Sequence, residues 1–164
     1  MIVLGIDPGL TGAIAALDHN GQFIGVADIP TCAIAEAGPK TTIKREVDVV
    51  MLWNLLRQMV PAGETALCAM EHLSSLGSAV KGDQAKASLA ATKASIMAVL
   101  RLQKHTVHRV TPREWKRFYG LSSDKDACLA VARELYPFPA FARKKDHNRA
   151  EAVLIARWAL RTLT

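Results

Sequence analysis

Residues 2–12 read Ile-Val-Leu-Gly-Ile-Asp-Pro-Gly-Leu-Thr-Gly, and this stretch decides the fold class. Its first five residues are apolar or small and partly β-branched, which is typical of a buried strand. The Asp-Pro-Gly that follows marks a turn. Two further strands are predicted over 12–17 and 22–27, and the Asn20-Gly21 pair between them favours an antiparallel hairpin. The chain is therefore predicted to begin with three antiparallel strands.

Beyond these strands, helical and strand patterns alternate along the chain. Apolar residues at helical spacing and Ala-rich runs without breakers indicate helices, and short apolar runs indicate strands. The predicted elements are a helix over 47–60, a strand over 65–70, a helix over 85–103, a strand over 106–110, a short helix opened by Pro112, a helix capped by Ser122 or Ser123 and ending near Leu135, and a last helix over 148–163. Two segments, 29–45 and 74–82, are predicted to be surface loops.

This order of elements predicts an α/β fold. We expect a mixed five-stranded sheet, with three antiparallel strands followed by parallel strands and with helices on both faces. The length of 164 residues suits one domain over residues 1–164. Half of the residues are apolar, and the composition as a whole excludes a disordered chain, a collagen and a disulfide scaffold.

Positive charge is concentrated in the last third of the chain. Residues 1–100 hold 7 Lys and Arg against 9 Asp and Glu, a net charge of −2. Residues 101–164 hold 14 against 6, a net charge of +8. Such a surplus is compatible with an ordinary solvated surface and with a polyanion partner, of which nucleic acid is the first candidate.

The cysteines and the N-terminal residues provide information on the cellular compartment. Three widely spaced cysteines form no CxxC pair, so neither a disulfide framework nor a zinc cluster is indicated. The first residues lack the basic region of a signal peptide, and no apolar run approaches the roughly 18 residues of a spanning helix. We therefore expect a cytoplasmic protein without membrane association.

Four carboxylates occupy positions that suggest chemistry. Asp7 and Glu71 each end an apolar strand, Asp146 lies in a basic loop, and Glu151 lies between two alanines of the last helix. A charge at the end of a buried strand costs solvation unless it finds a partner. A cap or a salt bridge would readily explain one such carboxylate. Two carboxylates at the ends of core strands are harder to explain in this way. Carboxylates that converge at strand ends hold Mg²⁺ or Mn²⁺ well.

Several segments together carry a family resemblance. They are Gly5–Gly12, Met70-Glu71, Thr111–Lys116, Ser123–Lys125 and Lys144–Ala152. In this order they closely resemble the RuvC-like Holliday junction resolvases, in the variant of the phage-type branch. The resemblance covers nearly the whole chain.

This resemblance implies an RNase H-like fold, a homodimer and a four-way DNA junction as substrate. It further implies two Mg²⁺ or Mn²⁺ ions per active site and paired nicks that leave 5′-phosphate and 3′-hydroxyl ends. By the same resemblance, the metal ligands are Asp7, which lies between the ions, and Glu71, followed by Asp146 and Glu151. Lys125 corresponds to a lysine close to the scissile phosphate.

The last ligand position has more than one candidate. Asp146 and Glu151 are five residues apart, and on one helix they would diverge by roughly 140°. They converge only if Asp146 lies in the loop, as an N-cap or earlier. His147 and Asn148 precede Glu151 by four and three residues and so share its helix face. We predict Asp146 as the ligand, with His147 as the main rival.

Basic residues near these acids are candidates for phosphate contacts, which supply affinity and salt dependence. They are Arg113, Lys116, Arg117, Arg143, Lys144 and Lys145. An ordinary solvated face is the alternative for each of them. Phe118 or Tyr119 is a candidate for stacking on a base, with core packing expected for at least one of the two. The loop after Glu71 is a candidate for entering the junction.

Three functions fit the sequence. The first is a structure-selective endonuclease that resolves four-way junctions. The second is a nuclease of the same fold that acts on other branched DNA or on structured RNA. The third is a non-catalytic junction-binding protein, against which the intact set of acids argues.

Overall fold

A computed structural model describes residues 1–34, 44–72, 82–122 and 124–164 of the chain. Its strands are β1 (Ile2–Asp7), β2 (Ala13–Asp18), β3 (Phe23–Asp28), β4 (Thr31–Ala33), β5 (Arg45–Val47), β6 (Ala66–Glu71) and β7 (Thr106–Val110). Its helices are α1 (Val49–Met59), α2 (Asp83–Leu102), α3 (Pro112–Phe118), α4 (Lys125–Leu135) and α5 (His147–Thr162), with a 3-10 turn at Pro139–Phe141.

The main sheet confirms the predicted fold class. Its five strands lie in the order β3-β2-β1-β6-β7. The β1–β2 and β2–β3 pairs are antiparallel, and the β1–β6 and β6–β7 pairs are parallel. One apolar core lies between the sheet and α3, α4 and α5, and a second lies between the other face of the sheet and α1 and α2. The sheet is thus covered by helices on both faces.

The structure corrects two details of the sequence prediction. Part of the predicted loop 29–45 is ordered, because β4 and β5 pair as a small antiparallel sheet. The Arg45 guanidinium donates to the Thr31 carbonyl at 2.7 Å, a contact between distant residues with no local signal. The N-cap of α4 is Asp124, so the predicted cap by Ser122 or Ser123 is wrong. Residue 123 and the predicted loop 74–82, apart from its last residue, lie outside the described residues.

Helix α5 lies directly against strand β1, and Gly5 is the point of closest approach. A Cβ atom built on Gly5 would collide with the carbonyl oxygen of Ala152 and the amide nitrogen of Ala156. A residue without a side chain is therefore required where the backbones of strand and helix meet. This contact sets the height of α5 above the sheet, and with it the position of Glu151.

Candidate functional site

Strand geometry places Asp7 and Glu71 on the same face of the sheet. Side chains alternate between the two faces of a strand. Val3 of β1 and Ala69 of β6 belong to the core under α5, so Asp7 and Glu71, each an even number of residues further on, also face α5. Because β1 and β6 are parallel neighbours, the two carboxylates lie side by side at their carboxyl ends.

Helix α5 brings Glu151 over these two acids. Glu151 is only 7% exposed, although it is charged. Its Oε1 accepts a hydrogen bond from the Lys116 ammonium of α3 at 3.0 Å. We name Asp7, Glu71 and Glu151 the acid cluster.

Burial and mutual repulsion shift the pKa values within the acid cluster. Burial, together with the negative charges of Glu151 and Glu71, raises the pKa of Asp7 to about 8. The positive charges of Lys125 and Lys116 act in the opposite direction. Burial also raises the pKa of Glu71, and Glu151 adds to that effect. Such mutual repulsion is what a bound divalent cation would relieve.

Trp115 positions Glu71 and was missed by the sequence analysis. Its side chain is 0% exposed, and its indole Nε1 donates to Glu71 Oε2 at 2.9 Å. This hydrogen bond lowers the pKa of Glu71 against the effect of burial. The capping box of Thr111 and Glu114, which fixes the start of α3, is visible in the sequence. The partner of the indole, 44 residues away, is not.

We expect Trp115→Phe to weaken divalent-metal binding by about 10- to 100-fold, the usual effect of losing a group that orients a ligand. The phenyl ring keeps most of the apolar contact, while Glu71 loses the hydrogen bond from the indole. The unfolding temperature measured at increasing Mg²⁺ concentrations reports this effect. Trp158→Phe, on the side of α5 packed against the core, is the matched control. An unchanged Mg²⁺ midpoint in Trp115→Phe would contradict the assignment.

Asp146 lies at the N-cap of α5, with surroundings that differ from those of the acid cluster. It is 3% exposed and accepts hydrogen bonds from the Arg143 backbone at 2.8 Å and from the Arg143 guanidinium at 2.7 Å. These bonds hold the pKa of Asp146 below its usual range. Arg149, which pairs with Asp28 of β3, is the other charge that acts on it.

His147, the rival candidate, begins α5 one helical turn before Glu151. Its ring Nδ1 is buried and has no hydrogen-bond partner within the described part of the chain. A buried nitrogen without a partner is costly, and it is free to act as a ligand. Next to it, the Asn148 amide donates to the Thr11 carbonyl at 2.5 Å, which ties the first turn of α5 to the turn after β1.

The predicted phosphate-binding cations fall into two groups. Arg113, Lys116 and Arg117 line one groove on α3, where Arg113 and Arg117 are exposed and Lys116 is paired with Glu151. In the loop before α5, Arg143 pairs with Asp146, Lys144 lies 3.9 Å from Asp126, and Lys145 is exposed. Lys125 is exposed at the start of α4, with its charge acting on Asp7. Their contacts with DNA remain predictions.

The two aromatic candidates differ in burial. Tyr119 packs against the core and its hydroxyl donates to the Leu154 carbonyl at 2.9 Å. Phe118 is 48% exposed and stays a candidate for base stacking. No helix among the described residues is long and apolar enough to cross a membrane.

Solved structures match this architecture over almost its whole length. The chain superposes on T. thermophilus RuvC in complex with Holliday junction substrate with a TM-score of 0.65, at 12% identity, covering 98% of this chain and 95% of that one. The chain has the RuvC fold. A second Thermus thermophilus RuvC structure matches with a TM-score of 0.58 at 15% identity, covering 100% and 98% of the two chains.

A sequence relative adds to the RuvC comparison. Holliday junction resolvase MOC1, chloroplastic, of Chlamydomonas reinhardtii is 49% identical over 59 residues. This match spans 34% of the present chain and 7% of the relative. No protein-family model matches the chain. The predicted RuvC-like architecture is confirmed, and the phage-type branch stays a prediction.

Proposed function

We propose that this chain is a DNA endonuclease that resolves four-way junctions by metal-dependent phosphodiester hydrolysis. The observation that carries the proposal is the acid cluster, in which two strand-end carboxylates and one helix carboxylate face the same side of the sheet, and in which burial, together with the charges of Glu151 and Glu71, raises the pKa of Asp7 to about 8. The RuvC fold and the short match to a protein called a Holliday junction resolvase support a junction as the substrate.

The donor chemistry of the site fits Mg²⁺ or Mn²⁺. Carboxylate oxygens are the ligands that these hard cations prefer, and Glu151 already binds a cation, the Lys116 ammonium. As the side chains stand, no three His, Cys, Asp or Glu residues of the described ranges lie close enough together to hold an ion. Glu151 would therefore have to exchange Lys116 for the metal, which frees that ammonium for a phosphate.

We infer that Asp7, Glu71, Glu151 and His147 hold two ions. His147 is preferred over Asp146, because its Nδ1 lacks a partner while the carboxylate of Asp146 is saturated by Arg143. Bound there, two ions would supply water activation and stabilisation of the leaving oxygen of a phosphodiester, and hydrolysis of that kind would leave 5′-phosphate and 3′-hydroxyl ends. Lys125 would contact the scissile phosphate.

The proposed function also requires a homodimer. A four-way junction has two equivalent strands to cut, and one acid cluster serves one strand. Two copies related by a two-fold axis present the same surface to each strand. We therefore propose one nuclease domain over residues 1–164 acting as a dimer in the cytoplasm.

We expect His147→Ala and Asp146→Ala to behave differently. His147→Ala should raise the Mg²⁺ concentration for half-maximal cleavage by about tenfold or more, since a ligand is lost. Asp146→Ala should mainly lower the unfolding temperature, since Arg143 loses its buried partner. Mg²⁺ titrations of cleavage together with thermal unfolding of both variants measure this. A larger shift in the Mg²⁺ requirement for Asp146→Ala than for His147→Ala would show that Asp146 is the ligand instead.

Cleavage of a substrate panel tests the proposed function. The panel contains a four-way junction, a replication fork, a linear duplex of the same sequence and a structured RNA, each assayed with Mg²⁺ and with EDTA. We expect the junction to be cut fastest and EDTA to stop cleavage. Preference for the fork or the RNA would favour the second function considered above. Tight junction binding without any cleavage would favour a non-catalytic binding protein.

A further inference from the structure

A further carboxylate ends a strand at the same edge of the sheet as the acid cluster. Asp28 is the last residue of β3, as Asp7 is of β1. Ala13 of β2 pairs in register with both of them, so Asp7 and Asp28 lie in one row across three strands. Paired residues of antiparallel strands point to the same face, and Ala13 belongs to the core under α5. Asp28 therefore faces α5, about 10 Å from Asp7 at two strand spacings of about 4.8 Å.

Asp28 is paired with Arg149 of α5 instead of joining the acid cluster. The guanidinium Nε donates to Asp28 Oδ1 at 2.6 Å, and Nη2 donates to Asp28 Oδ2 at 2.7 Å. These hydrogen bonds lower the pKa of Asp28, so the carboxylate is ionised. Two parallel hydrogen bonds fix the direction of a guanidinium as well as neutralising its charge. The contact therefore sets the position of the α5 backbone at Arg149.

Arg149 and Glu151 lie on opposite flanks of α5. At about 3.6 residues per turn, two residues correspond to a rotation of about 200°, so the two side chains diverge by about 160°. On one flank, Glu151 accepts a hydrogen bond from the Lys116 ammonium of α3. On the other flank, Arg149 donates to Asp28 of β3. The two contacts together fix the rotation of α5 about its own axis, and this rotation sets the direction of Glu151.

Metal binding changes these two contacts differently. Under the proposed function, Glu151 exchanges the Lys116 ammonium for an ion, so the contact with α3 is given up. The pair of Arg149 with Asp28 contains no residue of the acid cluster, and it can persist when an ion is bound. It is thus the contact that keeps α5 in the same rotation before and after metal binding.

We propose that Asp28 and Arg149 are positioning residues for the metal site, which hold the first turn of α5 so that Glu151 stays directed at the ions. This inference rests on the proposed function and gives a role in it to two residues outside the acid cluster. Both act through the backbone of α5 and not by contact with a metal or with DNA.

Two substitutions that change the charge in opposite directions test the proposal. Asp28→Asn removes a negative charge near the metal site, which by Coulomb attraction alone weakens the binding of a divalent cation. Arg149→Gln removes a positive charge, which by the same effect alone tightens that binding. If the pair positions α5, both substitutions weaken metal binding, because each breaks the same bidentate contact. The direction of the change in Arg149→Gln therefore separates positioning from charge.

The dissociation constant for Mg²⁺ is measured by titration calorimetry, and the unfolding temperature is measured in EDTA. We expect the dissociation constant to rise by about tenfold in each single variant, the lower end of the loss seen when groups that orient metal ligands are removed. The double variant should show no larger rise, since one contact is lost in all three proteins. Glu64→Gln is the matched control, because Glu64 pairs with the N-terminal amine before the first residues of β1 and β6. Its Mg²⁺ binding should not change.

The outcomes separate this inference from the proposed function. A dissociation constant that falls or stays unchanged in Arg149→Gln, or stays unchanged in Asp28→Asn, would overturn the positioning role and leave the proposed nuclease intact. A lower unfolding temperature alone would do the same, since it shows a merely structural pair. If Arg149→Gln does not fold, Arg149→Lys replaces it, because lysine keeps the charge and lacks the bidentate geometry, and the same rise is expected. Absence of Mg²⁺ binding by the unaltered chain would overturn both proposals.

Discussion

Asp7→Asn should abolish cleavage and at the same time stabilise the protein in EDTA. Asp7 sits where burial and two neighbouring carboxylates raise its pKa to about 8, so its negative charge is unfavourable in the folded state. Asparagine keeps the shape and removes the charge. We expect the unfolding temperature at pH 8 in EDTA to rise by roughly 3–6 °C, and the stabilisation of the protein by Mg²⁺ to disappear.

The pH dependence of the same variant follows from linkage. The pKa of Asp7 is higher in the folded chain than its ordinary value of 3.8, so the folded chain holds the proton more tightly. Between about pH 4 and pH 8 the unfolded chain binds fewer protons, and the stability of the protein in EDTA falls as the pH rises. Removing Asp7 removes this contribution, so the stability advantage of Asp7→Asn grows across that window.

Asp18→Asn is the matched control for Asp7→Asn. Asp18 ends β2 and accepts hydrogen bonds from the backbone amides of Asn20 and Gln22, which lower its pKa. Its replacement should leave stability unchanged or lower it, without effect on cleavage. Equal destabilisation of the protein by both substitutions, or cleavage retained in Asp7→Asn, contradicts the assignment of Asp7.

Gly5→Ala should strongly destabilise the fold. The added Cβ would overlap backbone atoms of Ala152 and Ala156, and these cannot rotate away as a side chain would. Overpacking of a core costs about 1–3 kcal/mol, and a backbone collision lies at or above that range. Since a domain is stable by about 5–15 kcal/mol, we expect a large drop in the midpoint of urea unfolding.

Gly25→Ala provides the comparison for Gly5→Ala. Gly25 also lies in a strand, β3, and a Cβ atom built there meets nothing within 4 Å. Its replacement should be neutral, or stabilising by about 0.4–1 kcal/mol. Displacement of α5 also moves Glu151, so any folded Gly5→Ala protein should show weaker Mg²⁺ binding. A urea midpoint equal to that of the unaltered chain would show that α5 does not rest on β1 as described.

Local sequence patterns were enough to predict most of the fold. The apolar run before Asp7 and the Asn20-Gly21 turn were enough to predict three antiparallel strands, and short apolar runs predicted the two parallel ones. The small sheet of β4 and β5 was not predicted, because the strands are three residues each and pair over a long stretch of chain. Short pairings of this kind leave no periodic signal.

The sequence patterns themselves pointed to the candidate site only through charged residues at the ends of strands. Asp7 and Glu71 were visible because a charge ends an apolar run in each case. The role of Asp146 could not be read from the sequence, since its contact with Arg143 depends on how the loop turns into α5. Trp115 and Lys93 approach Glu71 from α3 and α2, and only the folded sheet brings these helices to it.

Strand-resolved mapping of the cleavage products is the most direct test of junction resolution. A four-way junction with a different label on each strand is incubated with the unaltered chain and Mg²⁺, and the products are sized and then treated with DNA ligase. We expect two nicks at symmetric positions in opposed strands, with 5′-phosphate and 3′-hydroxyl ends that ligase rejoins. Single nicks at unrelated positions, or ends that ligase cannot seal, would contradict the proposed function.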